Sequence, residues 1–244
     1  MYGGAVKEVM GDPISGELVQ VLDYRGNLIG RGFYNPSSQY RVRMLILAHE
    51  ELIHEPMEVI LHQRILEAFQ LRQDLQFPSE MNTAYRLVNG EGDRLSGLMV
   101  DVFGNRAIVQ SAATWAEINI DLIMRCLSKV LGTDNNILWR TAEARLKQDG
   151  YELPATVSAP KEEGHDDLND NILVKENGLQ FHVNTKNAQK TGFYCDQRDN
   201  RAMLGSLSRG KSVLDLYCYS AGFSIYAAKG GASKYYFSLF VISF

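Results

Sequence analysis

The chain has 244 residues, 45% hydrophobic and 22% charged side chains, and a net charge of −4. These values are ordinary for a globular protein, and no stretch approaches the roughly 18 apolar residues of a membrane-spanning helix. A negative net charge argues against binding nucleic acid through overall charge, so any such binding depends on local clusters. Three cysteines lie far apart with no Cys-x-x-Cys pair, which argues against zinc and against a disulfide framework. With no signal or transit segment at the start, an intracellular, cytoplasmic protein is expected; an organelle is the alternative if a transit segment is missing.

Small antiparallel β-structure is predicted for residues 16–47. Alternating apolar residues favour strands at Glu17–Asp23 and Leu28–Tyr34, with a turn between them at residues 25–27. A third strand is predicted at Gln39–Leu47. One of its faces would carry Tyr40, Val42, Met44 and Ile46.

Charge is unevenly distributed along the chain. The segment between Tyr24 and His49 contains no acid and four arginines, Arg25, Arg31, Arg41 and Arg43. Between Glu162 and Asp170 there are five acids and no lysine or arginine. The basic run is a candidate phosphate-binding surface, although a solvated face explains either run equally simply.

A helix is predicted over His54–Arg72, because four apolar residues recur at intervals of four: Met57, Leu61, Ile65 and Phe69. Three histidines nearby lack the spacing of metal ligands, and surface or capping roles are expected for His49, His54 and His62.

The central part of the chain predicts a mixed α/β unit. Its strands are expected at Ala84–Val88, Leu98–Phe103, Ala107–Ser111 and Ile137–Arg140. An amphipathic helix is predicted at Trp115–Leu131, with a stripe formed by Ile118, Leu122, Cys126 and Val130. Cys126 is therefore expected in the core and not as a nucleophile. A short helix is predicted at Ala142–Gln148, and the acidic segment Pro154–Asn171 predicts a loop.

The last part of the chain predicts a hairpin and then a strand–turn–helix unit. The hairpin joins Ile172–Val174 to Leu179–Val183 through Asn177-Gly178. A buried strand at Val213–Tyr217 is followed by a turn at Ser220–Gly222 and a helix at Phe223–Lys229, which Gly230-Gly231 would end. Such a unit presents backbone N–H groups beyond the carboxyl end of a strand, where open α/β sheets bind ligands. An ordinary βα unit is the alternative, and NAD fits worse because Gly-x-Gly-x-x-Gly is absent.

Two motifs resemble one known family. Residues 191–201 read Thr-Gly-Phe-Tyr-Cys-Asp-Gln-Arg-Asp-Asn-Arg, and residues 213–224 read Val-Leu-Asp-Leu-Tyr-Cys-Tyr-Ser-Ala-Gly-Phe-Ser. Both resemble the PUA-domain-containing class I methyltransferases, whose bacterial members methylate carbon 5 of a cytosine in large-subunit ribosomal RNA. In the second motif Ser220 and Ala221 replace the family's usual Thr-Gly.

The resemblance extends to the fold. Residues 30–39 resemble part of a PUA domain, and residues 89–93 and 97–101 resemble a hairpin of the family's central domain. The implied class is α+β and α/β, in three parts. These are a partial PUA-like β-barrel with a trailing helix (1–72), a central mixed α/β domain with the acidic loop (73–171), and the start of a Rossmann-like class I methyltransferase domain (172–244).

The resemblance also implies a cofactor, S-adenosylmethionine (SAM), and an RNA partner, with no membrane partner expected. Asp215 matches the position that holds the amino-acid end of SAM, with the alternative that its carboxylate only ties the turn together. The turn would be lined by Tyr217, Ser220 and Gly222. Asp196 is expected as a helix N-cap, with Gln197 and Arg198 on the first turn facing SAM and Phe193 or Tyr194 covering it. RNA would be bound by Arg25, Arg31, Arg41 and Arg43.

Cytosine-5 methylation needs more than a bound cofactor. A cysteine thiolate must add at carbon 6 before carbon 5 becomes nucleophilic. The family carries that cysteine, an Asp-Pro-Pro-like loop and a ribose-binding acid after the SAM motif, whereas Asp215 is the last acid here and Cys218 the last cysteine. Cys195 and Cys218 do not match the nucleophile, so no catalytic residue is assigned. The sequence is therefore expected to be truncated at both ends, and the rival hypothesis is a non-catalytic fragment that retains RNA binding.

Overall fold

The computed structural model describes residues 1–132, 136–152, 171–185 and 191–238. The chain divides into two compact units, Met1–Asn187 and Ala188–Phe244. Among the described residues, no helix is long and apolar enough to cross a membrane.

The first unit begins with an antiparallel sheet of three strands, β1 (Leu18–Leu22), β2 (Leu28–Tyr34) and β3 (Val42–Leu47), in that spatial order. A register shift between Arg31 and Gly32 interrupts the pairing of β2 with β3. Leu45 lies at this bulge, and Leu45 and Ile46 are both only 2% exposed. The third strand begins at Val42, three residues later than predicted, so Tyr40 lies outside it. In the described residues this sheet is open, and its closure into a PUA-like barrel stays a prediction.

Helix α1 (Met57–Asp74) begins three residues later than predicted, because Pro56 restrains the residue before it. Glu55 is extended, with a ψ of 157°, and residues 51–54 form a separate 3₁₀ turn. The predicted apolar stripe is confirmed, since Leu61 and Ile65 are fully buried and both ends of the stripe pack on the same core.

The second sheet has the order β4 (Ala84–Asn89), β5 (Leu98–Phe103), β6 (Arg106–Ser111) and β7 (Asn136–Thr141). The first three strands are antiparallel, and β7 pairs in parallel with β6. A parallel pair needs a crossover, which the chain makes through the helices that follow β6. The mixed α/β class predicted for this region is therefore confirmed.

Two helices occupy the place of the single helix predicted at 115–131: α2 (Thr114–Ile118) and α3 (Ile120–Leu131). The break lies at Asn119, whose side-chain amide donates to the Trp115 carbonyl at 2.7 Å and takes the acceptor that a continuing helix would use. The predicted stripe shifts accordingly: Ile118 is 47% exposed, while Ile123, Cys126 and Leu127 are fully buried. Cys126 is thus a core residue as predicted, and burial raises the pKa of its thiol.

Helix α4 (Glu143–Gln148) follows β7, and the predicted hairpin then forms from β8 (Asn171–Glu176) and β9 (Leu179–Asn184). Its turn has positive φ at Asn177 and Gly178, as a tight hairpin requires. The hairpin lies in the first unit, where the Thr83 backbone N–H donates to the Lys175 carbonyl at 2.9 Å. The boundary placed at residue 171 from the sequence is not where this compact unit ends. The three-part division stays a proposal. The predicted acidic loop, Pro154–Asn171, lies outside the described residues except for Asn171, which begins β8.

The second unit contains α5 (Arg198–Leu207), β10 (Ser212–Leu216), α6 (Gly222–Lys229) and β11 (Lys234–Ser238). Strands β10 and β11 are parallel, and α6 is the crossover between them. The predicted strand, turn and helix are confirmed to within one residue at each boundary. The prediction of a buried strand is wrong for one face, because Leu214 and Leu216 are 63% and 58% exposed and only Asp215 is buried.

Candidate cofactor site and basic surface

Asp215 lies near the carboxyl end of β10 and is 9% exposed. Its Oδ2 accepts the backbone N–H of Ser224 at 3.1 Å and the Ser224 hydroxyl at 2.8 Å. The carboxylate therefore connects the strand to the first turn of α6. This is the structural role that is the alternative to cofactor binding for Asp215. Oδ1 makes no hydrogen bond within the described residues, so one carboxylate oxygen remains available for a ligand.

The loop between β10 and α6 has an uncommon backbone. Three of its non-glycine residues have positive φ: Tyr217 at 59°, Tyr219 at 48° and Ala221 at 53°. Bulky residues rarely adopt this region, and such conformations persist where neighbouring contacts enforce them. Within the loop, Tyr217 is 69% exposed and Ser220 is half-buried, while Gly222 is buried at the start of α6. The structure thus brings Asp215, Tyr217, Ser220 and Gly222 together around one turn.

The segment before α5 differs from the prediction. Asp196 lies inside a short 3₁₀ turn, Cys195–Gln197, and is not the N-cap of the following helix. That cap is Gln197, which makes no side-chain capping bond, and α5 begins at Arg198. With a cap at Asp196 the helix would begin at residue 197, whereas the 3₁₀ turn moves its start one residue later, to Arg198. Arg198 lies on the first turn as expected, with Nε 3.1 Å from Asp199.

Phe193 and Tyr194 have different surroundings. Phe193 is 1% exposed, and its ring lies 4.7 Å from the guanidinium carbon of Arg201. Tyr194 is half-buried and packs edge-on against Tyr219, with 5.4 Å between ring centroids. Tyr194 is therefore the more accessible of the two residues predicted to cover SAM.

Sequence reasoning missed Arg201 as a contributor to this region. Its side chain is buried at 3% exposure, and Nη2 donates to the Tyr194 carbonyl at 2.9 Å. Its position as the last residue of the 191–201 motif was the sequence feature that could have indicated a role in this site. Charged residues are rarely buried unless they are paired.

The four arginines of the basic run do not form one free surface. Arg31 donates to the carbonyls of Ile53 and Glu55, at 3.0 and 2.7 Å. Arg41 donates to the Pro36 carbonyl, and Arg43 forms an ion pair with Asp149 at 2.9 Å. Arg25 is exposed in the β1–β2 turn, and its guanidinium carbon lies 5.0 Å from the ring centroid of Tyr24.

Asp149 is a buried junction within the first unit, again a residue that sequence reasoning missed. Its Oδ1 accepts from Arg43, while Oδ2 accepts from the Thr114 backbone N–H at 3.0 Å and from Asn35 Nδ2 at 3.1 Å. Burial opposes ionisation, but the hydrogen bonds from Ser38 and Thr114 and the Arg43 guanidinium outweigh it, and the pKa of Asp149 is lowered. The acid thereby joins the first sheet to the start of α2.

A cleft of about 440 Å³ lies along β3 in the first unit. Tyr2 and Tyr40 line it with their rings 5.1 Å apart, and both are partly exposed. The guanidinium carbon of Arg43 lies 5.0 Å from the centroid of the Tyr40 ring. Arg94 also lines the cleft, with its side chain 55% exposed and ion-paired to Glu50. Exposed tyrosines beside arginines are the side chains on which unpaired RNA bases stack.

Comparison with known protein families assigns both ends of the chain. Residues 1–46 match the PUA-like domain family, and residues 156–239 match a family described as S-adenosylmethionine-dependent methyltransferase. SAM is the cofactor of the second family, as expected from the motifs. The chain is therefore similar to the PUA-like family in its first part and to SAM-dependent methyltransferases in its last part.

Similar proteins include "Ribosomal RNA large subunit methyltransferase I" from Tolumonas auensis, 32% identical over 96% of this chain and 57% of that protein. The protein of the same name from Alteromonas mediterranea is 34% identical over 96% and 56%. The chain thus spans little more than half the length of these curated relatives.

Solved structures also share the fold. One, described as a methyltransferase complexed with SAH, aligns with a TM-score of 0.72 at 21% identity and covers 92% of this chain and 54% of its own. A SAM-dependent methyltransferase from Streptococcus mutans aligns with a TM-score of 0.71, also at 21% identity, over 93% and 56%.

Proposed function

We propose that this chain carries the RNA-binding and cofactor-binding parts of a SAM-dependent methyltransferase that acts on large-subunit ribosomal RNA in the cytoplasm. The observation that carries the proposal is the arrangement around Asp215. A buried carboxylate with one uncommitted oxygen lies beside a positive-φ loop at the start of α6. This arrangement lies within residues 156–239, which match the methyltransferase family.

The residues present fit the amino-acid end of SAM. Its ammonium group would be bound by the Asp215 carboxylate, since a charge-assisted hydrogen bond is about twice as strong as a neutral one. Its carboxylate would be bound near the start of α6, where the helix dipole and unpaired backbone N–H groups favour an anion. When bound, SAM supplies the methyl group, and Tyr194 and Tyr217 would limit the access of water.

We further propose that carbon 5 of a cytosine is the acceptor. This step needs a thiolate, and Cys126 is unsuited because it is fully buried and burial raises its pKa. Cys195 and Cys218 belong to the segments that form the cofactor site, so none of the three cysteines is assigned as the nucleophile. A polypeptide of these residues alone would then bind RNA without turnover, and incubation with radiolabelled SAM and ribosomal RNA distinguishes that alternative.

Asp215→Asn should weaken the binding of SAH by about ten- to a hundredfold, the equivalent of losing a charged hydrogen bond worth about 1.5–3 kcal/mol. Asparagine keeps the shape of the side chain and an oxygen for Ser224, so the change is mainly in charge. Isothermal titration calorimetry of the protein with SAH measures the effect.

Ser224→Ala is the matched control for Asp215→Asn. It removes the hydroxyl that donates to Asp215 at 2.8 Å and leaves the carboxylate in place. SAH affinity should change by less than about threefold, because the ligand-facing oxygen is untouched. Equal losses in the two variants would show that Asp215 only ties the strand to the helix.

The affinity for RNA should depend on salt concentration, in part because Arg25 would contact a phosphate. Each lost phosphate contact lowers the slope of log K against log[salt] by about 0.7–0.9. Arg25→Ala should therefore flatten the slope by that amount, because its side chain is exposed and makes no ion pair within the described residues. Filter binding to ribosomal RNA at several salt concentrations measures it.

Arg31→Ala is the control for Arg25→Ala, since its guanidinium is already bound by the Ile53 and Glu55 carbonyls. We expect it to lower thermal stability and to leave the salt slope unchanged. If Arg25→Ala leaves both affinity and slope unchanged, the basic run is only a solvated face.

A further inference from the structure

Arg201 connects the two motifs of the second unit. Its guanidinium carbon lies 4.7 Å from the Phe193 ring and 6.0 Å from the Phe223 ring. Nη2 donates to the carbonyl of Tyr194. One side chain of α5 therefore contacts both the segment that precedes α5 and the first turn of α6.

Gly222 is what allows this packing. A Cβ added at Gly222 would lie 2.8 Å from Cδ of Arg201, closer than Cβ atoms approach in real proteins, and 3.4 Å from its Nε. The backbone at Gly222 does not have positive φ, so alanine would be acceptable there in the absence of Arg201. The glycine at this position is thus explained by the space that the Arg201 stem occupies.

A second contact reaches the same loop from the 191–201 segment. The hydroxyl of Tyr219 donates to the Gly192 carbonyl at 3.2 Å, and its ring packs against Tyr194. Tyr219 is one of the three loop residues with positive φ. Conformations of this kind persist when the surrounding structure enforces them, and here the enforcing contacts come from residues 191–201.

We propose that Arg201 is a positioning residue: its buried side chain, fitted against Gly222, holds residues 217–222 in the conformation that binds SAM. This inference rests on the proposed function, since it assigns how the same cofactor site is kept in shape. At 3% exposure Arg201 acts through the loop and not by touching the ligand.

The competing explanation for Gly222 is that the cofactor itself approaches the backbone there. The two explanations differ in a double-mutant cycle. If alanine at Gly222 acts by displacing Arg201, it should lower SAH affinity no further once the Arg201 side chain is truncated. If it acts by blocking the cofactor, the affinity losses of the two single variants should multiply in the double variant.

The test is calorimetric titration of the protein with SAH. We expect Gly222→Ala and Arg201→Ala each to weaken binding at least tenfold, and the double variant to bind about as well as Arg201→Ala alone. Far-UV circular dichroism and thermal melting report whether each variant is folded.

Gly205→Ala is the matched control for Gly222→Ala, since the added Cβ would lie 2.9 Å from the Tyr226 carbonyl oxygen, in the contact between α5 and α6. It should lower the melting temperature and leave SAH affinity unchanged, which separates positioning from general destabilisation. If Arg201→Ala does not fold, Arg201→Val, whose side chain also ends before Cδ, takes its place in the cycle: losses that do not multiply support the proposal, and losses that multiply overturn it.

The outcomes also separate this inference from the proposed function. If the wild-type protein binds SAH and the affinity losses of the two single variants multiply, only the positioning role is overturned. The same holds if Arg201→Ala loses no affinity for SAH. Absence of SAH binding by the wild-type protein overturns the proposed function and this inference with it.

Discussion

Asp149→Ala is expected to lower the free energy of unfolding of the first unit by about 3–5 kcal/mol, the usual cost of removing one partner from a buried ion pair. The side chains of Arg43 and Asp149 are 11% and 5% exposed, and their N–O distance is 2.9 Å. The substitution would leave a nearly buried guanidinium without its closest anion. It would also remove the acceptor for the Thr114 backbone N–H. Urea denaturation followed by circular dichroism measures the change.

Glu91→Ala tests whether burial is the cause. Glu91 is the other acid near Arg43, with a 4.0 Å contact, but its side chain is 76% exposed. Exposed pairs contribute about 0–1 kcal/mol, so this variant should be nearly as stable as the wild type. A loss in Asp149→Ala no larger than that in Glu91→Ala would contradict the junction described for Asp149.

The same carboxyl gives a dependence of stability on pH. The folded pKa of Asp149 lies below its ordinary value of 3.8, so the unfolded chain binds the proton first as the pH falls. The stabilisation is complete above that value and is lost as the pH falls through the folded pKa. The difference in stability between wild type and Asp149→Ala should therefore shrink below about pH 4.

Most of the secondary structure could be predicted because its signals are local. The Asn177-Gly178 turn, the α1 stripe and the strand–turn–helix unit at 212–229 each follow from periodicity or turn chemistry within a short window. The errors arise where one side chain overrides the pattern. Asn119 breaks a helix by bonding a carbonyl, and Pro56 delays another helix start.

The candidate sites were harder to predict from the sequence, because they depend on which charged side chains form ion pairs or hydrogen bonds in the folded protein. Arg31, Arg41 and Arg43 are close in sequence, yet each guanidinium is bound by a different part of the first unit. The partner of Arg43 is Asp149, which lies 106 positions away in the chain. Arg201 was overlooked for the same reason, since a charge pattern does not reveal that a side chain is buried.

Tight packing between the first sheet and α2 can be tested through Trp115, one of two tryptophans in the chain. Its ring stacks on Phe33, with 4.3 Å between centroids and 4° between planes, and Nε1 donates to the Ser96 carbonyl at 2.8 Å. At 2% exposure it contributes a large apolar area to the main core. Trp115→Ala should therefore destabilise the first unit by about 3–5 kcal/mol.

Two further variants divide that loss into its causes. Trp115→Phe keeps an aromatic ring against Phe33 and removes the indole N–H, leaving the Ser96 carbonyl without this donor, so about 1–3 kcal/mol should be lost. Trp139→Ala removes the other tryptophan, which is only partly buried on β7, and should cost less than Trp115→Ala because less apolar area leaves the core. Urea denaturation of the three variants ranks them. Equal losses at the two tryptophans would mean that the Phe33–Trp115 stack does not hold the sheet against α2, since simple removal of a tryptophan would then account for both.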